Sequence, residues 1–176
     1  MTTATAEKTT APAHYERLLS LARNAGLIGG SAGMLGWDQE VFMPEGGIAY
    51  RGEQLALLAK LHHEMRTSEA FADALAECES DADLTDDPLS AAAVNLREFR
   101  WELDRKTKLP AELVEEEAKL SSEGMHAWKH ARANDDFSEF APALRKIVDM
   151  LRRKAECYGW AEGGEPWDAL AEDYEK

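Results

Sequence analysis

Apolar residues recur along this chain at three- and four-residue intervals, and no window shows the β-branched alternation or the Asn-Gly and Asp-Gly turns that build a sheet. Helices are what this pattern can make. The strongest stripe, Phe140, Leu144, Ile147, Leu151 and Ala155, starts between Asp136 and Pro142 and is closed by Gly159, a residue suited to a left-handed cap. Tyr15, Leu18, Leu19 and Ala22 open a first amphipathic helix, followed by glycines at 26, 29, 30, 33 and 36. Each glycine inside a helix costs roughly 1 kcal/mol against alanine, so this stretch is expected either to break or to pack against something at close range, with Gly29 and Gly33 forming a smooth face. Met43-Pro44-Glu45 reads as a helix start, leading into the stripe Ile48, Leu55, Leu58, Leu61 and Met65, with Arg51 and His62 close to it. Residues 77–87, acidic and rich in turn formers, read as a solvated loop. Asp87-Pro88 opens a helix with Leu89, Ala92, Ala93, Leu96, Phe99 and Leu103 inward, and Pro110 opens another with Leu113, Leu120, Trp128 and Ala131 inward. The tail around Trp167–Tyr174 is expected to add one or two turns. The expected fold is all-α: an antiparallel multi-helix bundle of about six helices, one domain over 13–176, behind a disordered lead-in at 1–12.

Charge narrows the functions available. The 176 residues carry 20 Lys and Arg against 34 Asp and Glu, a net charge of −14. Such a surface repels nucleic acid and anionic membranes, and the one dense basic run, Arg97–Lys108, is interleaved with Glu98, Glu102 and Asp104. No stretch is long and apolar enough to span a bilayer. Cys78 and Cys157 lie far apart and form no C-x-x-C pair, so a reducing, cytoplasmic setting is expected.

Few side chains fall into patterns that carry chemistry. His62-His63-Glu64 lacks the two histidines four apart of H-E-x-x-H, and adjacent histidines point about 100° apart on a helix, so both read as surface or half-buried polar residues. His126 and His130 do share a face at i, i+4. They read as two residues of a solvated face, with a metal site completed by acids such as Glu123 as the alternative. Trp37-Asp38-Gln39-Glu40 is either a pocket wall or a structural corner, and a lone carboxylate supplies no mechanism. Arg51, near an apolar stripe, needs a carboxylate to offset its desolvation; Asp38 or Glu40 is the expected partner, closing the corner around Pro44. No G-x-S-x-G, Cys-His pair or phosphate loop is present.

Leu35-Gly36-Trp37-Asp38-Gln39-Glu40, followed by Met43-Pro44 and Gly46-Gly47, resembles the start of the carboxypeptidase Taq family of zinc metallocarboxypeptidases. Arg51–Ala56, Arg105–Pro110, Ala127-Trp128 with Ala131-Arg132, Asn134–Phe137 with Phe140-Ala141-Pro142, and Asp173-Tyr174-Glu175 are similar to later stretches of that family. The resemblance covers nearly everything after Ala13. It implies a largely helical, dimeric, cleft-bearing enzyme that removes C-terminal residues with a zinc-activated water. The family's H-E-x-x-H helix and later Glu ligand have no counterpart in this sequence, so no catalytic residue, metal ligand or cofactor is assigned to it. The expectation is an N-terminal cleft-wall part, inactive alone, with Trp37, Asp38, Gln39 and Arg51 as structural or cleft-wall residues. Its partner is then a separate catalytic core or a second copy in a homodimer. A stand-alone helical interaction or regulatory module is the alternative.

Overall fold

The computed structural model describes residues 11–174, and the described residues form helices joined by turns, with no strand among them. In chain order these are α1 (Ala13–Val41), a 3-10 turn (Glu45–Gly47), α2 (Ile48–Arg66), α3 (Glu69–Glu79), α4 (Ala82–Thr85), α5 (Ala91–Lys106), α6 (Ala111–Ala133), α7 (Phe137–Tyr158) and α8 (Pro166–Ala171). The lead-in expected at 1–12 lies outside the described residues except for Ala11, which packs against the core, and Pro12, which precedes α1.

Helix α1 runs unbroken through its five glycines, for about 43 Å at 1.5 Å per residue. The expectation of a break is wrong, and close packing holds only in part. A Cβ on Gly29 would sit 3.5 Å from the His62 ring, whereas Cβ atoms on Gly26, Gly30, Gly33 and Gly36 would meet nothing within 4 Å. The expected Gly29–Gly33 seam is therefore one glycine wide.

Helices α1, α2, α6 and α7 lie side by side in that order, each antiparallel to the next. Gly29 meets His62, Gly52 meets Ser122, Lys60 pairs with Glu115, and Lys154 pairs with Glu117, which fixes the three registers. Two apolar clusters anchor this layer. One gathers Tyr15 and Leu18 of α1, Phe71, Leu75 and Cys78 of α3, Leu84 of α4, and Leu96 and Leu103 of α5. The other joins Leu109 and Leu113 to Met150 of α7.

Several sequence boundaries shift, each for a local reason. Pro44 precedes the 3-10 turn rather than α2, because Gly46 and Gly47 delay regular helix until Ile48. Asp87 accepts a hydrogen bond from the Leu89 amide at 3.0 Å and closes a turn, while Ser90 caps α5 by accepting from Ala93 N at 3.1 Å. Leu89 is thus 85% exposed rather than inward. The acidic stretch 77–87 is not a plain loop: α3 continues to Glu79, and α4 buries Leu84. Helix α3 is absent from the expected elements, although Phe71, Ala74, Leu75 and Cys78 carry its buried face at i, i+3, i+4, i+7. In α2 the buried ridge is Gly52, Ala56, His63 and Arg66, because α2 is clamped between α1 and α6, and Leu61 of the expected stripe faces solvent. Trp128 is likewise exposed. Gly159 ends α7 with φ 73° and ψ 161°, a conformation nearly closed to other residues.

Candidate functional site

The segment joining α1 to α2 is a tight corner. After Val41 the amides of Phe42 and Met43 both donate to the Asp38 carbonyl at 2.9 Å, which stops α1 and turns the chain into Pro44. Arg51, one turn into α2, reaches back across this corner with its side chain only 11% exposed. Its guanidinium donates to Asp38 Oδ2 at 2.6 Å, to the Leu35 carbonyl, and to Gln54 Oε1 at 3.2 Å. The structure thus brings Arg51 and Asp38 together. Glu40 points elsewhere and pairs with Lys129 of α6.

Gln39 extends the corner to a third helix by accepting from Ser122 Oγ at 2.6 Å. Trp37 packs edge-on against Phe42, with ring centroids 5.3 Å apart, and leaves half its surface in solvent. One turn of α1 therefore ties α1, α2 and α6 through neighbouring side chains. The arrangement positions helices. With its one acid committed to an arginine, it places no free base beside a reactive group.

A cavity of about 730 Å³ opens between α1, α2, α5, α6 and α7, large enough for a peptide side chain or a small ligand. Its walls hold ion pairs that the sequence reading did not identify. Glu102 takes Lys106 at 2.6 Å and Arg66, whose guanidinium also lies over the rings of Phe71 and Phe99. Arg105 donates to Asp173 at 2.7 Å, to Glu172 at 2.8 Å and to the Ala169 carbonyl at 2.6 Å, and lies 3.7 Å above the Tyr158 ring. Lys154 joins Glu117 at 2.8 Å and Asp173 at 3.5 Å. A signal did exist: Arg66 and Lys154 continue the buried ridges of their helices, three residues after His63 and four after Met150. The identity of the acids that satisfy them depends on which helices meet, and no spacing encodes that.

The cavity also shifts its titrating groups. Burial pushes His62 and His63 below the usual histidine range, and Lys106 nearby pushes the same way. His63 is 6% exposed, buried rather than at the surface or half-buried as expected. Burial alone would raise Glu102, but Lys106 and Arg66 outweigh it and hold the carboxyl low. Burial likewise disfavours the Lys154 cation, yet Glu117 more than restores it.

The histidine pair at i, i+4, His126 and His130, lies in the last two turns of α6. His130 Nδ1 lies 2.7 Å from Glu139 Oε2 and 3.2 Å from Asn134, so its ring belongs to the α6–α7 turn. Both histidines border a hollow of about 260 Å³ together with Glu40, Glu45 and Met43. Among the described residues no three of His, Cys, Asp and Glu gather around one point, so these side chains do not fit the three-ligand zinc site of a hydrolase.

Comparison with known proteins places this geometry. The chain is 34% identical over 173 residues to thermostable carboxypeptidase 1 of Thermus thermophilus, a match covering 94% of this chain and 34% of that protein. It is 33% identical over 165 residues to thermostable carboxypeptidase 1 of Pyrococcus furiosus, covering 92% of this chain and 31% of the relative. The solved structure of Pyrococcus furiosus carboxypeptidase superposes with a TM-score of 0.69 at 30% identity, over 95% of this chain and 32% of that one. The chain spans about a third of the length of these relatives. The family model of carboxypeptidase Taq (M32) metallopeptidase matches residues 17–176. By that match and by its relatives, the chain belongs to the carboxypeptidase Taq (M32) metallopeptidase family.

Proposed function

We propose that this chain is a cleft-wall part of an M32 metallocarboxypeptidase, a helical body that shapes the substrate cleft and hydrolyses peptides only together with the remaining two-thirds of such an enzyme. The observation that carries this reading is the combination of full-length family likeness on this side with one-third coverage on the other. The side chains present agree with it. His130 is engaged by Glu139, Asp38 by Arg51, and Glu102 by Arg66 and Lys106, so these groups serve the packing of the helices. In this reading Trp37, Asp38, Gln39 and Arg51 form the rigid corner of the wall, and the chemistry of the family, a zinc-activated water, is supplied by the other part.

The reading also places the protein in a reducing, cytoplasmic setting, in keeping with two unpaired cysteines. No described helix is long and apolar enough to cross a membrane. The test is an assay of the purified chain on a short N-blocked peptide with a free C-terminal carboxylate, with added zinc. No release of the terminal amino acid is expected from the chain alone. Chelator-sensitive release by the chain alone refutes the proposal.

A further inference from the structure

The outer face of α1 combines exposed apolar side chains with a long stretch free of charge. From Asn24 to Trp37 no residue carries a charge, in a chain of which 31% is charged. Leu27, Met34 and Val41 stand seven residues apart and are 65%, 63% and 53% exposed, with Gly30 and Trp37 between them at the spacing of a helix-packing seam. Gly30 within this seam and Gly33 beside it face open space. A solvent-exposed helix gains nothing from glycine, and water offers no return for a row of leucine, methionine, tryptophan and valine. Both costs are recovered when a second backbone approaches closely along that row.

Resting on the function proposed above, we infer that this face of α1, centred on Gly30, Met34 and Trp37, is the docking surface for the part of an M32 carboxypeptidase that lies outside the matched third. The choice of occupant follows from length. Each relative carries about twice as much polypeptide again as the stretch matched here, in one chain with it, and that remainder needs a surface to fold against. A second copy of this chain is the competing occupant. It would bring another net charge of −14 to the contact.

The substitutions Gly30→Glu and Met34→Glu test this, with Arg152→Glu on the charged surface of α7 as control. In the chain alone neither outer-face change meets an obstacle, and replacing glycine favours the helix, so melting temperature should hold or rise. In a full-length chimera, with this chain replacing the stretch it matches in the Thermus thermophilus enzyme, both changes should lower the melting temperature. Carboxypeptidase activity should fall at least about tenfold, as for a charge placed at the centre of an interface, while Arg152→Glu changes neither. Should the chimera not fold, the same two changes at the aligned residues of the natural Thermus enzyme give the same readout. Outer-face variants with unchanged melting and activity in the full-length protein overturn the inference. So does a dimer of the chain alone, seen by sedimentation velocity and abolished by Met34→Glu, which assigns the face to a second copy. A chimera that is active yet indifferent to these changes sinks the docking face and leaves the cleft-wall reading standing, whereas hydrolysis by the chain alone sinks that reading itself.

Discussion

Replacing Arg51 by methionine keeps most of the aliphatic stem and removes the guanidinium that crosses the α1–α2 corner. Three hydrogen bonds go: one to the Asp38 carboxylate at 2.6 Å, one to the Leu35 carbonyl and one to Gln54 at 3.2 Å. A bond to a charged partner contributes about 1.5–3 kcal/mol and a neutral one about 1 kcal/mol. Part of this is recovered by water, because the Asp38 side chain is 37% exposed, and Leu35 lies inside α1 where its carbonyl keeps a helical partner. The net expected loss is about 2 kcal/mol. For a chain of this size that lowers the melting temperature by roughly 4–8 °C, read from circular dichroism on heating. Asp38→Asn alone should cost about half as much, and the double variant no more than Arg51→Met, since both remove the same contact. Arg17→Met supplies the contrast: Arg17 and Glu77 are 3.7 Å apart and both more than half exposed, so its loss should cost about 0.5 kcal/mol or less. The corner is not what holds α1 to α2 if Arg51→Met melts within about 1 °C of wild type, or if the two single costs simply add.

Gly159→Ala should destabilise the protein by about 1–3 kcal/mol in urea unfolding, because φ 73° with ψ 161° is open in practice to glycine only. Cys78, buried in the α3 core with its thiol pushed up to about 11 by burial and by Glu77, Asp81 and Glu79, should resist alkylation of the native protein at pH 8, while the partly exposed Cys157 reacts; equal rates would contradict this packing. His62 and His63 titrate below the unfolded histidine value, so between the two values the unfolded chain binds more protons and stability rises with pH. Their contribution is fully present above about pH 6.5 and is lost as pH falls through the folded values. His62→Asn should flatten the fall in melting temperature between about pH 6.5 and 5, and an unchanged slope would remove His62 from that account.

Most of the helical architecture was legible because period and capping are local. The stripe of α7, the cap at Gly159 and the opening of α6 after Pro110 each depend on a few adjacent residues. What failed was whatever a second element decides. Leu89 and Trp128 fit inward positions by spacing, but the assembled helices leave both exposed. His63 looks polar by type and is buried, because α2 is pressed between two neighbours. In the candidate site the Arg51–Asp38 pair could be anticipated, since a cation near an apolar stripe needs an acid and one stood just across the turn. The Glu102–Arg66 and Arg105–Asp173 pairs join residues 36 and 68 positions apart, and only the assembled layer brings them face to face.

Arg105 carries a consequence for anyone dividing this polypeptide. Its guanidinium, 9% exposed, donates to acceptors beyond Pro166, at Ala169, Glu172 and Asp173. Severing the chain ahead of α8 takes away all three of these acceptors and leaves the cation with its contact to the Tyr158 ring. The last described turn is thus a latch for α5, and a fragment cut short of it should unravel at α5 first, visible as early amide exchange there.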